Sequence, residues 1–293
     1  MGKKGGKSMK SFSINKWIAI VIAIVWSTFP LYWLLKYAFL TPAEIAAYPP
    51  PFFPESMNVA SFYNVIGLDY TMPDGTVVKA SGQANQILAG LWNSTIVSFW
   101  SMVITLVVVI PLAYVFARLE FRFKTPLLMA VLLSVAIPPV STLIPFYVMF
   151  TKLGLTGTKT GLVIVTLTVT IPFVTWMLIG YFRNLPQVEK LARIDGFSRL
   201  GTFIKIIIPL SKSGIAVAAV IAFLFSWNEF VFATILANGT PATTLPAAVS
   251  GFLFQQPQPS HMAAAIWITI LPAVLVVYFL QRHITEMNIV DPI

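Results

Sequence analysis

Residues 80–117 contain no Asp, Glu, Lys or Arg. A helix rises about 1.5 Å per residue and the hydrocarbon core of a bilayer is about 30 Å thick, so about 20 apolar residues cross it. The same pattern recurs along the chain and predicts six spans, at 17–40, 91–117, 125–151, 160–182, 213–236 and 262–281. Only Glu229 interrupts the 213–236 run. The sequence is 57% hydrophobic and 10% charged, against about 25% charged in a soluble domain. That nearly excludes a water-soluble enzyme and predicts an all-α polytopic membrane protein. With no cysteine in 293 residues, disulfides, thiolate catalysis and Cys-ligated metals are excluded.

The cations give the orientation, because Lys and Arg are retained in short loops on the cytoplasmic side. Fifteen of the nineteen fall on one side of the six spans. They lie in the basic tail 1–16 (Lys3, Lys4, Lys7, Lys10, Lys16), the second-to-third loop (Arg118, Arg122, Lys124), the fourth-to-fifth loop and the 282–293 tail. The fourth-to-fifth loop alone holds Arg183, Lys190, Arg193, Arg199, Lys205 and Lys212, whereas Lys79, Lys152 and Lys159 lie opposite. Lys36, at the end of the first span, is expected to snorkel outward. Both termini are expected in the cytoplasm, and the net charge of +9 points to an anionic membrane surface rather than to nucleic acid. The uncharged stretch 17–35 exceeds a signal-peptide core of about 7 to 15 residues. It is read as a retained helix, with cleavage after Ala47 as the alternative.

The outer loop 41–90 is too long for a bare connection. Pro42, Pro49, Pro50, Pro51 and Pro54 punctuate it, Phe52 and Phe53 stand between prolines, and Pro73, Asp74 and Gly75 predict a turn. The aromatics read equally as a docking point for an outer partner and as an interfacial anchor. The uncharged, Pro- and Gly-punctuated segment 237–260 is expected to fold back over the mouth of the helices. Pro111, Pro138, Pro139, Pro145, Pro172 and Pro272 lie in or near spans and predict kinks. His261 and His283 stand too far apart at a membrane edge to suggest a metal site, and none is read.

The cytoplasmic loop 184–209 predicts a helix, a turn and a helix. Asn184 fits a cap with Pro186 in the first turn, and Val188, Leu191 and Ala192 share a face. Gly196 supplies the positive φ of a helix stop, and Ser198 caps a second helix whose Leu200, Phe203, Ile204 and Ile207 recur at helical spacing. Pro209 marks the start of the fifth span. Such a segment can lie on the lipid surface, or can offer a cytosolic partner an apolar knob ringed by charge.

At this loop the sequence resembles the permease, or transmembrane, subunit of maltose-type, binding-protein-dependent carbohydrate ABC importers. The signature segment reads Glu189-Lys190-Leu191-Ala192-Arg193-Ile194-Asp195-Gly196, followed by Phe203, Ile206, Ile208, Pro209 and Leu210. The likeness continues in order over roughly residues 90 to 280, through Asn93-Ser94, Ala113-Tyr114-Val115-Phe116-Ala117-Arg118-Leu119, Ile137-Pro138-Pro139, Ile144-Pro145-Phe146-Tyr147, Leu153-Gly154-Leu155, Pro172-Phe173 with Trp176, Leu185-Pro186 and Trp227-Asn228-Glu229-Phe230. It departs where the signature Glu falls on Lys190 and its first Ala on Leu191, where Ser213 replaces a frequent proline, and in a tail without the usual Gly and Lys.

The resemblance implies a multi-pass subunit of a bacterial or archaeal cytoplasmic (inner) membrane that pairs with a second homologous permease. It implies that Glu189, Lys190, Leu191, Ala192, Asp195, Gly196, Phe203 and Pro209 couple to a cytosolic ATPase dimer, which binds ATP and Mg. An extracytoplasmic solute-binding protein would deliver a sugar or related polyol, and alternating access would move it across. The sequence itself has no Gly-x-x-x-x-Gly-Lys-Ser/Thr phosphate loop, so it carries no cofactor and is no enzyme in its own right.

Glu229 is an acid inside a span, where an unpaired charge costs several kcal/mol. With Trp227 and Asn228 it reads either as part of a substrate path or as a hydrogen-bonded helix interface. A secondary transporter using Glu229 as an ion or proton site is the competing function class. It leaves the cytoplasmic loop without a purpose, and no inverted halves are recognisable.

Overall fold

The computed structural model describes residues 14–72, 75–255 and 257–285. The basic residues Lys3, Lys4, Lys7 and Lys10, the predicted turn residues Pro73 and Asp74, and the 286–293 tail lie outside the described residues.

Fourteen α-helices and one small hairpin make up the described residues. The first helix, α1 (Ile14–Phe39), leads to a proline-rich segment with α2 (Pro42–Ala46), α3 (Ala60–Val65) and the strands β1 (Tyr70–Thr71) and β2 (Val77–Val78). These strands pair antiparallel, Tyr70 opposite Val78 and Thr71 opposite Val77. Next come α4 (Ala84–Arg118), α5 (Lys124–Ala136), α6 (Pro139–Lys152) and α7 (Lys159–Asn184). The loop after α7 holds α8 (Glu189–Ile194), α9 (Arg199–Thr202), a π-helical turn (Phe203–Ile207) and α10 (Ile208–Leu210). After it follow α11 (Lys212–Trp227), α12 (Val231–Ala237), α13 (Leu245–Phe254) and α14 (Pro259–Thr285).

Four helices, α1, α4, α7 and α14, are long and apolar enough to cross a membrane, and the number rises to six if each of two bent pairs is one span. Within the expected span 125–151, where Pro138 and Pro139 predict a kink, α5 and α6 meet at 94°. The cause is local. Each residue before a proline is pushed out of the helical region, so Ile137 and Pro138 both take extended backbone, with ψ of 118° and 130°. The second pair, Arg199–Leu210 with Lys212–Trp227, bends by 76°. The expected helix 213–236 is likewise interrupted, since α11 stops at Trp227 and α12 starts only at Val231. Helix α4 begins above the expected 91–117, and at about 1.5 Å per residue its 35 residues overshoot the hydrocarbon core.

Helix α4 packs most extensively on α7 and then on α11, while α14 joins α1, α11 and α13. Between lipid-soluble helices no water is displaced, so close van der Waals fit and hydrogen bonds must hold them. Small residues permit that fit: Ala38, Ala248, Ala263, Ala264 and Ala265 are all at most 1% exposed. Buried hydroxyls add cross-links, as between Thr105 of α4 and Thr170 of α7, 2.8 Å apart. On the outside, Trp26, Leu133, Ile144 and Phe279 are large, apolar and exposed, a surface suited to lipid tails.

The segment between α1 and α4 corrects one expectation. Lys36 does not reach water: it is 2% exposed, its Nζ donates to the Pro51 carbonyl at 2.7 Å and lies 3.7 Å from the Trp33 ring centre. The proline-rich strap roofs the lysine, and a buried ammonium needs such a carbonyl and ring face in place of solvent. Phe52 and Phe53 remain partly exposed with their rings against Tyr32 of α1, at centroid distances of 5.5 and 6.1 Å. The first strap helix is held by a capping box, Thr41 with Glu44, whose carboxylate also accepts from Glu55 N at 2.7 Å.

Candidate functional site

The loop between α7 and α11 is built on helix termini. Helix α7 runs through Asn184, which therefore caps nothing, and Leu185 takes extended backbone ahead of Pro186 (ψ 149°). The first loop helix starts only at Glu189. Its end is a complete Schellman motif, with Phe197 N donating to Ala192 O and Gly196 N to Arg193 O. Gly196 sits at φ +84°, where any other L-residue is strained. Asp195 is the C-cap of this helix, and Ser198 caps α9 by accepting from Gly201 N at 3.1 Å.

The apolar residues of each half split between two faces instead of forming the single stripes expected. Ala192 is buried, and Ile207 with, in part, Val188 and Phe203 turns inward, packing on a core of α4, α7 and α11 residues that includes Val109, Phe182 and Ala222. Leu191, Ile194, Leu200 and Ile204 turn outward, at 63%, 82%, 66% and 52% exposure. The π turn explains part of this split. Its wider i to i+5 bonding changes the helical register just where Phe203 and Ile207 face the core. Lys190 and Pro209 are also exposed.

Two residues to which the sequence reading gave no role in the loop anchor it. Arg118, the last residue of α4, donates from Nη2 to the carbonyls of Leu185 (2.6 Å) and Pro186 (3.1 Å), and its Nε lies 3.4 Å from Glu189 Oε1. Tyr114, one turn earlier, packs its ring 4.9 Å from that of Phe203. The available signal was only the basic residue at a span end, which charge counting uses up on orientation.

The second candidate region is the break between α11 and α12. Trp227 is 1% exposed, stacks on Phe223 and donates Nε1 to Thr269 O at 3.1 Å. It thus fastens α11 to α14. The Glu229 carboxylate accepts from Phe232 N and Ala233 N, both at 2.8 Å, and so caps α12. Asn228 is exposed and, with Phe230, borders two cavities. One, of about 360 Å³, lies against Ile266, Thr269 and Ile270, and the other, of about 230 Å³, against Thr166, Thr170 and Glu229. Of the three residues grouped by sequence, only Asn228 and Glu229 therefore reach open space.

Helices with lipid-suited surfaces, two bent pairs among them and an exposed apolar knob on the loop after α7 define a multi-pass membrane component. Residues 87–286 match the family described as binding-protein-dependent transport system inner membrane component, and the chain belongs to that family. It is 28% identical over 277 residues to the sulfoquinovosyl glycerol transport system permease protein SmoH of Agrobacterium fabrum, covering 93% of this chain and 91% of that one. With the trehalose transport system permease protein SugB of Mycobacterium tuberculosis it shares 35% identity over 201 residues, 67% of this chain and 73% of the relative. The fold is similar, at a TM-score of 0.73 and 16% identity, to a crystal structure of a bacterial ABC transporter involved in the import of the acidic polysaccharide alginate. That match covers 96% of this chain and 99% of the other.

Proposed function

We propose that this chain is one permease subunit of an ABC importer for a sugar or related polyol, forming half of the translocation path. Its relatives' names point to glycosyl glycerol and disaccharide transport, and the observation that carries the reading is the cytoplasmic knob. Four large apolar side chains stand exposed on a loop otherwise held rigid by a Schellman motif and a serine cap. Exposed apolar surface of that kind calls for a partner. The partner is a cytosolic ATPase dimer that binds ATP and Mg. Leu191 enters its cleft, Lys190 and Asp195 orient it, and Ala192, Phe203 and Pro209 hold the loop's shape.

In this arrangement both termini are cytoplasmic and each bent pair counts as one crossing, giving six. A second, homologous permease completes the path, and an extracytoplasmic binding protein delivers the substrate. Asn228, shared by two cavities, is the side chain of this subunit best placed to meet a sugar hydroxyl. Glu229 keeps the break open by capping α12.

Detergent purification tests this reading. Wild-type chain is expected to bring down an ATPase and a second permease, and Gly196→Asp to lose the ATPase while keeping the permease. Recovery of wild-type chain without an ATPase would overturn it.

A further inference from the structure

We propose that Arg118 is a positioning residue for coupling: it engages Glu189 within this chain, so that the first loop helix moves as one body with the end of α4. The inference rests on the loop being the ATPase seat.

The Arg118 side chain is 8% exposed and that of Glu189 21%. One guanidinium reaches three segments: its own helix α4, the two carbonyls just past the end of α7, and the first turn of α8. Those carbonyls lie at the negative end of α7, where a cation is favoured. A planar fork with five donors can serve both carbonyls and a carboxylate at once, which an ammonium on a flexible stem cannot. The contact with Glu189 is between charges, since Nε and Oε1 make no hydrogen bond there. Meanwhile Tyr114 against Phe203 ties the second half of the loop to the preceding turn of the same helix. Both halves of the loop thus hang from the last two turns of α4, the helix with the most extensive packing on α7 and α11.

One consequence concerns charge. Glu189 faces inward, while Lys190, Arg193, Arg199, Lys205 and the single acid Asp195 are exposed. The surface that receives the knob must therefore be predominantly acidic.

The test uses the assembled transporter in proteoliposomes, with Arg118→Gln, Glu189→Gln, the double variant and Arg118→Lys. All four are expected to retain the ATPase. Each single Gln variant should raise amide exchange over residues 185–197 about tenfold and lower substrate moved per ATP by a similar factor. Because the two side chains act as one unit, the double variant should be no worse than the worse single. Arg118→Lys should recover part of the coupling, and it also serves if Arg118→Gln does not fold. Loss of the ATPase in Glu189→Gln alone, with effects that multiply in the double variant, would place Glu189 against the ATPase and overturn the proposal. Unchanged exchange in Arg118→Gln would overturn it too. If no ATPase accompanies the wild-type chain, the importer reading fails, while the exchange result still decides whether Arg118 holds the loop.

Discussion

Asn93 offers a sharp perturbation, because its amide replaces water for two carbonyls inside the protein. The residue is 3% exposed on α4, and its Nδ2 donates to Pro241 O at 2.9 Å and Thr243 O at 2.8 Å. One position on, Ser94 Oγ accepts from Leu245 N at 2.8 Å. One turn earlier, Gly90 brings the Leu245 backbone so close that a Cβ would sit 3.0 Å from its Cα. Asn93→Ala strands two acceptors. Interhelical hydrogen bonds in membrane proteins contribute about 0.6 kcal/mol on average and up to about 1.7, so two give about 1–3 kcal/mol. At about 2–4 °C per kcal/mol, the melting temperature in detergent should fall by roughly 2–12 °C. Asn93→Asp is nearly isosteric but has no donor, so its oxygens would face the carbonyls and it should be worse than Ala. Fluorescence-detected size exclusion after heating reads both variants. An alanine variant within about 1 °C of wild type, or an aspartate variant more stable than alanine, would refute the reasoning.

Three further outcomes follow from particular contacts. Gly214→Ala would place a Cβ 2.5–2.7 Å from three ring atoms of Tyr181, costing about 1–3 kcal/mol by overpacking; the double variant Gly214→Ala/Tyr181→Ala should recover part of the loss in the same melt. Trp227→Phe should cost about 1–2 kcal/mol for the bond to Thr269 O, whereas Thr269→Ala should leave that bond intact because the acceptor is main chain. Desolvation pushes the Glu44 carboxyl up, but hydrogen bonds from Thr41 N, Glu55 N and Thr41 Oγ outweigh it and hold the group below its ordinary value. Its contribution to the strap is therefore complete above the unfolded value of about 4.3 and lost as the pH falls through the lowered folded value. Amide exchange over 41–58 should rise with acid in wild type and be pH-independent there, after correction for intrinsic exchange, in Glu44→Gln.

Much of the architecture is legible because bilayer crossing imposes a length and a composition that a window of sequence contains. Gly196 and Ser198 are legible for a similar reason, since a helix stop and a cap depend on one residue and its neighbours. The bend at Ile137 is harder. Consecutive prolines announce a kink, but 94° depends on both preceding residues turning extended. The fate of Lys36 was out of reach, because a carbonyl fifteen residues away in the strap receives it. Arg118 illustrates the same limit at the site: a cation at a span end looks alike whether it faces lipid headgroups or, as here, carbonyls 67 and 68 residues further on. The inward and outward split of the loop's apolar residues arises in part from a π turn, which the sequence pattern does not announce.

The most direct test of the central claim is substrate uptake into proteoliposomes holding this chain, its partner permease, the ATPase and the binding protein. Uptake should require ATP on the loop side and should vanish in Gly196→Asp, although that variant inserts normally. Uptake by this chain alone, driven by an ion gradient and abolished by Glu229→Gln, would contradict the account.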